Sequence, residues 1–254
     1  MNGYLVFSIK ELREITRTWR IWVLPAIMIF FAASGPLVAR FMPEILGTVG
    51  GAALGQLALP TPTYFDAYGG WIKNLAQITL FALIIMYGGI VSSEVRSGTV
   101  LLVLTKPLSR SAFVIVKFVV SCVFVAAVLV VTTALTWVVT AITFGAAPGA
   151  ALWSAAAVWL VLAVLFLAVM TLLSVLIGSP AGASGAGIGA FALLAIAGIW
   201  EPLGHYSPAG LAAHAASLAV DASTTSPVWP VVTALALSAV LVAAAVAVFR
   251  RKEL

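Results

Sequence analysis

The residues best suited to chemistry lie together in one short stretch toward the carboxyl end. Glu201 and His205 are four positions apart, and His214 and Asp221 follow in the same stretch. A spacing of four on a helix lets a carboxylate and an imidazole share a proton or a metal ion. A zinc site, however, needs three or four ligands in fixed geometry, and nothing in this spacing fixes one. We therefore expect no metal site, and we interpret Glu201-Pro202 as the end of a helix at the water surface.

Motifs for catalysis are absent from the rest of the sequence. Ser, His and acidic residues occur, but no nucleophile motif joins them, and the single cysteine, Cys122, has no internal partner for a disulfide. No G-x-x-x-x-G-K-[ST] sequence is present to hold phosphates. We expect a chain that is not an enzyme and binds no cofactor itself.

The composition identifies the solvent of the chain as lipid. Of the 254 residues, 63% are hydrophobic and only 8% are charged, whereas a soluble domain has about 25% charged residues. So few charges cannot cover a soluble surface, and disorder requires low hydrophobicity with high charge. The net charge of +5 is too small to suggest a nucleic-acid surface. With soluble, disordered and nucleic-acid-binding proteins excluded, the composition indicates an integral membrane protein.

Long runs without charge mark the elements that cross the membrane. Such runs occur at 21–39, 74–93, 118–200 and 222–249, and about 20 apolar residues suffice for one helical crossing. Two glycine–proline clusters, at 144–149 and 178–182, divide the longest run into three helices. We predict an all-α protein, since a barrel would need short alternating segments. The six predicted transmembrane helices are 21–39, 74–93, 113–143, 151–177, 183–200 and 228–249.

The basic residues predict the orientation. Eleven of the 13 Lys and Arg fall on one side: four before the first span, four between the second and third, and three after the sixth. Because basic residues stay in the cytoplasm, both termini are predicted to be cytoplasmic. Residues 40–73 and 201–227 are then external loops. Within the first loop, the apolar stretch 45–59 is short for a span, and we interpret it as an interfacial or partly re-entrant helix.

A predicted amphipathic helix over 4–20 precedes the first span. Its apolar residues recur every three or four positions, and Lys10, Arg13 and Arg17 lie among the others. With Trp19 near its end, this pattern suits the inner surface of a membrane. A generic juxtamembrane anchor is the alternative. Lys10–Glu14 and Glu14–Arg17 are possible ion pairs along the helix.

A second short helix is predicted between spans two and three. The segment 92–117 leaves the second span through serines, and Lys106-Pro107 interrupts its apolar stretch because proline disfavours helix in the preceding residue. Ser109 or Ser111 can cap the next helix. Such an element lies on lipid or docks into a groove of another protein, and periodicity does not choose between these.

The sequence of this segment resembles that of a known family. The pattern is similar to the cytoplasmic loop of permeases of ATP-binding-cassette type-2 exporters, in the compact six-helix variant that includes permeases of copper-enzyme maturation. Lys10-Glu11-Leu12 and Tyr206-Ser207-Pro208 extend the resemblance. The residues that carry it in the loop are Glu94, Gly98-Thr99, Lys106-Pro107-Leu108-Ser109-Arg110 and Lys117.

The resemblance implies roles and partners. Residues 94–110 would form a coupling helix in a cleft of a cytoplasmic ATPase, and 4–20 would form the elbow helix. The permease would work as a homo- or heterodimer in a bacterial plasma membrane, with two copies of an ATP-binding subunit that holds ATP and Mg. The implied coupling residues are Glu94, Arg96, Gly98, Thr99, Leu101, Leu102, Leu104, Lys106, Pro107 and Arg110.

Span three carries a polar stripe without charge. Thr132, Thr136 and Thr140 share one face, with Trp137 beside them. They would line a path for an amphipathic or hydrophobic cargo. The alternative is that these hydroxyls bond to carbonyl groups of their own helix.

Two other functions stay open at this point. The same scaffold could transmit force to an external partner rather than move a solute, or the protein could be an ATP-independent secondary transporter or membrane enzyme. Secondary transporters usually carry charged residues near the middle of the membrane, and the charge-free runs argue against that class.

Overall fold

The computed structural model describes residues 3–49, 61–99, 109–222 and 225–252, and helix is the only regular structure over these ranges. A π-helical turn at Leu75–Thr79 joins α3 to α4, and a 3-10 turn at Pro208–Gly210 joins α9 to α10. The helices are α1 (Gly3–Arg17), α2 (Arg20–Val49), α3 (Tyr64–Asn74), α4 (Leu80–Tyr87), α5 (Ser92–Arg96), α6 (Arg110–Phe144), α7 (Gly149–Leu176), α8 (Pro180–Ala197), α9 (Glu201–Tyr206), α10 (Leu211–Ala219) and α11 (Val228–Arg251).

Six segments of the described chain are long and apolar enough to cross a membrane. The all-α class and the six-span count are therefore confirmed. The six segments are Ile21–Leu46, Tyr64–Arg96, Arg110–Phe144, Gly149–Leu176, Pro180–Ala197 and Val228–Arg251.

The first two spans are longer helices than the charge-free runs suggest. Helix α2 continues past Arg40 to Val49, and α3 already begins at Tyr64. A charge marks where hydrocarbon ends, but a helix can continue into water beyond it. Thr63 starts α3 because its backbone N–H donates to the Asp66 carboxylate at 2.7 Å, as in a capping box. Both ends of the region 40–73 are thus helical, and most of the stretch 45–59 lies outside the described residues.

The long apolar run divides at its two glycine–proline clusters. Helix α6 ends at Phe144, where Gly145 adopts a left-handed conformation with φ of 75°. Helix α7 then begins at Gly149 and ends at Leu176. Ser179 caps α8 by accepting a hydrogen bond from the Gly182 N–H at 3.2 Å.

Helix α7 is the centre of the bundle. It packs against α6, α8, α10 and α11, and its Trp159, Phe166 and Met170 are fully buried. In the most apolar window of α7, 61% of residues are buried inside the chain, compared with 11% for α8 and 17% for α11. These two outer helices therefore present most of their surface to lipid or to another protein.

Contacts between distant segments define the two ends of the bundle. At one end, the Arg110 guanidinium donates to the Lys252 carbonyl at 2.6 Å, and the Lys252 ammonium donates to the Val175 carbonyl at 2.9 Å. At the opposite end, the Tyr68 hydroxyl donates to the Pro148 carbonyl at 3.2 Å. The start of α6 and the end of α11 thus share one end, and α1 lies there too, since its Phe7 ring contacts the Phe113 ring of α6.

The region 201–227 is largely helical as well. Helix α9 packs against the 3-10 turn at Pro208–Gly210, and α10 packs onto α7 and α3. A Cβ atom at Gly210 would lie 1.7 Å from the Gly204 carbonyl oxygen, so only glycine fits this crossing.

Candidate functional site

Five charged side chains converge where α1, α5 and α6 meet. We call this cluster the charge junction; it consists of Lys10, Glu11 and Glu14 of α1, Glu94 of α5, and Lys117 of α6. Two ammonium groups thus face three carboxylates across three segments of the chain.

Lys117 is the buried centre of the charge junction. Its ammonium lies 2.9 Å from Glu11 Oε2 and 2.8 Å from Glu94 Oε1. All three residues are buried, with Lys117 only 2% exposed. A buried charge is tolerated only with partners, and removing one partner typically costs about 3–5 kcal/mol. The positions of α1 and α5 are therefore tied to that of α6.

Lys10 closes the charge junction on its outer side. Its ammonium donates to Glu14 at 2.6 Å, to Glu94 at 2.8 Å and to Glu11 at 2.9 Å. The predicted Lys10–Glu14 pair is thus present, within a larger network. Burial alone would lower the pKa of Lys10, but the hydrogen bonds to Glu14, Glu94 and Glu11 outweigh it and raise that pKa above its usual range. Lys10 consequently stays charged throughout the physiological range of pH.

The three carboxylates of the charge junction lie close enough together to suggest a cation site. The two lysine ammoniums already lie among them and supply the positive charge. One oxygen, Glu94 Oε2, is buried without a hydrogen-bond partner in the part of the chain that the structure describes. We interpret the cluster as an ion-pair network that joins helices.

Aromatic rings surround the charge junction on its apolar side. Phe113 of α6 stacks on Phe249 of α11 with ring centroids 5.4 Å apart, and it also contacts Phe7 of α1 at 5.5 Å. The Lys117 ammonium lies 5.3 Å from the Phe113 centroid. The carboxyl-terminal helix is thereby joined to the same end of the bundle.

The described part of the predicted coupling segment has an inner and an outer face. Glu94 points inward to the charge junction, whereas Arg96 and Thr99 are exposed. Gly98 between them has a φ of 72°, which favours glycine. Arg110 is bonded to the end of α11. The other predicted coupling residues, Leu101, Leu102, Leu104, Lys106 and Pro107, lie outside the described residues.

The segment that leads into α5 is also fixed from within. The Ser174 hydroxyl of α7 accepts hydrogen bonds from the backbone N–H groups of Val91 and Ser92, each at 3.0 Å. Ser92 and Ser174 are buried. Helix α5 is therefore attached both to the central helix and to the charge junction.

Helix α1 has one face buried against the bundle and one face exposed. Phe7, Glu11 and Ile15 are buried against the bundle. The predicted elbow residues Arg13, Arg17 and Trp19 are exposed. Four large apolar side chains are also open to the surroundings, namely Ile9, Leu12, Trp19 and Trp22. An exposed apolar face beside exposed basic residues is what a helix at a membrane surface requires.

The threonine stripe of α6 faces the interior of the chain. Thr132, Thr136 and Thr140 are buried, and each hydroxyl donates to the carbonyl four residues earlier, at 2.7, 3.0 and 2.7 Å. Trp137 is 40% exposed and donates to the Ala147 carbonyl at 2.7 Å. These are the hydrogen bonds within one helix that the alternative interpretation predicted. A substrate path along these residues stays a prediction, and it requires the helices to move apart.

The histidines lie at the end of the bundle opposite to the charge junction. The His205 Nε2 atom is 3.9 Å from a Glu201 carboxylate oxygen, and the rings of His205 and His214 are 6.4 Å apart. Burial lowers the pKa of His214, and the nearby His205 adds to this effect, while a hydrogen bond to the Gly204 backbone opposes it. His214 is therefore neutral at pH 7.

Sequence reasoning missed part of the charge junction. Glu11 and Glu14 were not expected at a site, and Lys117 was noted only through the family resemblance. A usable signal existed, because Lys117 borders an apolar run of more than 80 residues. A charged residue at such a position needs a partner. Its partners could have been sought among the acids predicted on the same side.

The fold and the charge junction define a polytopic helical membrane protein with a cluster of buried charged residues at one end. The profile of the ABC-2 family transporter proteins matches residues 5–254, almost the whole chain, and the chain belongs to this family. It is thus a multi-pass membrane component of an ABC transporter, the part that is generally not catalytic. The comparison with curated proteins gave no match.

Proposed function

We propose that this chain is the permease of an exporter-type ABC transporter and that the charge junction transmits the movement of its ATPase to the spans. The observation that carries the proposal is the position of Lys117, buried between Glu11 and Glu94. A single side chain of the third span thereby holds both the elbow helix and the start of the coupling segment.

Segment 94–110 is the proposed contact with the ATP-binding subunit. The exposed Arg96 and Thr99 would face the ATPase, while the buried Glu94 holds the segment from inside. Displacing α5 would move Glu94 relative to Lys117 and Lys10. Because separating buried charges is costly, α6 and α1 would follow rather than let the ion pairs break.

The transporter would contain two permease chains and two ATP-binding subunits. Among the six spans of the described chain, α8 has the smallest share of buried residues. A Cβ atom at Gly185 or Gly189 would meet open space, so a second helix can approach its backbone closely there. We propose this face as the seam to a second permease chain, identical or related.

The partner subunits would carry the ATP chemistry. Two cytoplasmic ATP-binding subunits would hold ATP and Mg, since the permease sequence has no phosphate loop. The orientation proposed from the basic residues places both termini and the charge junction in the cytoplasm of a bacterial cell. The cargo would be amphipathic or hydrophobic, because the charge-free run 118–200 offers hydroxyls and aromatic rings but no charge to pair with an ion.

The test uses the complex that the tagged permease forms with its ATP-binding subunit. Arg96→Glu reverses an exposed charge on the proposed docking face, and we expect it to abolish permease-dependent ATP hydrolysis while leaving membrane insertion and thermal unfolding unchanged. Arg13→Glu makes the same change at an exposed position of α1 and should leave hydrolysis intact. Failure of any ATPase to co-purify, or full stimulation in Arg96→Glu, would overturn the proposal.

A further inference from the structure

An apolar groove runs along the outer surface of the bundle, between α6 and α11. It has a volume of about 710 Å³. Phe118 and Val119 of α6 form one wall, and Ala239, Ala243 and Ala247 of α11 form the other. The three alanines are exposed and lie four residues apart, so a row of small side chains runs along this face of α11.

The groove follows the length of a lipid chain. Its lining extends from Leu235 to Arg250 along α11, which corresponds to about 22 Å at the helical rise per residue. One leaflet of the hydrocarbon core is about 15 Å thick. An extended acyl chain that begins at the end of α11 would thus lie along the groove through its own leaflet.

A free positive charge stands at one end of the groove. Arg250 lines it there, and its guanidinium has no carboxylate partner among the described residues. Two neighbouring cations are already engaged, since Arg110 donates to the carbonyls of Arg250 and Lys252, and Lys252 donates to that of Val175. No acidic residue lines the groove.

We propose that this groove binds one phospholipid with an anionic head group. Its acyl chain lies against the alanines of α11, and its phosphate pairs with Arg250. Basic pockets between transmembrane helices at a membrane surface have the chemistry that anionic head groups recognise. A second copy of the chain fits less well, because in the same membrane orientation its own basic end would face Arg250 and repel it.

Because the groove borders α6, the bound lipid would contact the helix that carries the charge junction. Phe118 is the residue after Lys117 and lines the groove. Lipid in the groove would therefore contact α6 one residue away from the charge junction.

Native mass spectrometry of the purified full chain tests the proposal. Phosphatidylglycerol and phosphatidylcholine with identical acyl chains would be titrated separately. The wild type should retain one phosphatidylglycerol in preference to phosphatidylcholine. Arg250→Gln should weaken retention of phosphatidylglycerol about fivefold, as expected for one basic residue at a membrane surface, and leave phosphatidylcholine unchanged. Arg251→Gln, the matched control outside the groove, should retain the wild-type preference.

A second pair of variants tests the acyl-chain site. Ala243→Phe fills the groove and should abolish retention of both lipids, whereas Ala236→Phe, at an exposed position of α11 outside the groove, should not. Ala236 and Ala243 are both exposed, so the two variants should still fold. Arg250→Gln tests the proposal independently of them. Equal effects of Arg250→Gln and Arg251→Gln, or lipid retention by Ala243→Phe, would overturn it. Conversion of a dimer to a monomer by Ala243→Phe, with lipid binding unchanged, would instead assign the groove to a second chain.

Discussion

Helix α6 carries two sets of buried polar side chains that are bonded in opposite ways. Lys117 pairs with residues 106 and 23 positions away in the sequence, on α1 and α5. Thr136, five turns further along the same helix, donates only to the carbonyl of Thr132. The first set joins three segments of the chain, and the second joins none.

The difference shows which buried polar groups connect parts of a membrane protein. A hydroxyl in lipid can satisfy itself on its own helix, so its burial imposes nothing on other segments. An ammonium cannot do so and requires opposite charges, which have to come from elsewhere in the chain. We therefore expect function to depend on Lys117 and its carboxylates, and much less on the threonines.

The largest expected effect comes from removing the centre of the charge junction. Lys117→Met keeps the length of the side chain but leaves Glu11 and Glu94 buried without their shared cation. We expect a loss of about 3–5 kcal/mol in the free energy of unfolding. Thermal unfolding of the detergent-purified protein would measure it. Lys73→Met, the same change at an exposed position, should shift the unfolding temperature little. Equal shifts in the two variants would show that the buried ion pairs of Lys117 contribute no more than an exposed lysine.

The next largest loss of stability is expected where a substitution overfills the apolar packing between helices. A Cβ atom at Gly187 of α8 would lie 2.4 Å from Met170 Sδ and 2.9 Å from a methyl group of Ile84. Gly187→Val should therefore destabilise the protein by about 1–3 kcal/mol through overpacking. At Gly35 of α2 a Cβ atom meets nothing within 4 Å, so Gly35→Val should cost clearly less when both are measured by the same thermal unfolding.

A smaller effect is expected at the opposite end of the bundle, where a buried titratable group has no ion pair among the described residues. The lowered pKa of His214 means that the unfolded chain binds its proton more readily than the folded one. Stability should then be lost as the pH falls below about 6.5. Unfolding temperatures at pH 7.5 and 5.5 should differ less in His214→Gln than in the wild type. His205→Gln, which changes a neighbour of His214 and leaves His214 itself in place, should reduce the difference less.

The smallest effect is expected on the threonine face. Thr136→Val preserves shape and removes one bond within a helix, so the free energy of unfolding should change by less than about 1 kcal/mol. Thermal unfolding would check this, and a loss as large as that of Lys117→Met would show that the threonines bond to other segments in a way that this conformation does not contain.

Sequence patterns predicted the helices better than their ends. The glycine–proline clusters at 144–149 and 178–182 coincide with the ends of α6 and α7 because glycine and proline act locally on the backbone. The extension of α2 to Val49 and the start of α3 at Tyr64 were missed. Charge reports the edge of the hydrocarbon, and backbone hydrogen bonds continue past it.

The charge junction could be predicted only in part. Glu94 and Lys117 stood out as letters of a family pattern, and Lys10–Glu14 followed from helix spacing. The pairing of Glu11 with Lys117 did not follow, because it depends on how α1 is rotated against α6. The apolar stripe of α1 predicted a helix at the membrane surface, but it did not predict that Glu11 is turned to the protein.

Movement of the coupling segment is proposed to reach the spans through the charge junction. ATP hydrolysis by the purified complex with its ATP-binding subunit tests it most directly when Glu94→Gln and Thr136→Val are compared. Glu94→Gln keeps the size of the side chain but removes the charge that pairs with Lys117 and Lys10. We expect Glu94→Gln to bind the ATPase yet to lose permease-dependent hydrolysis, while Thr136→Val behaves as the wild type. Full hydrolysis in Glu94→Gln would contradict this transmission, whatever the behaviour of Thr136→Val.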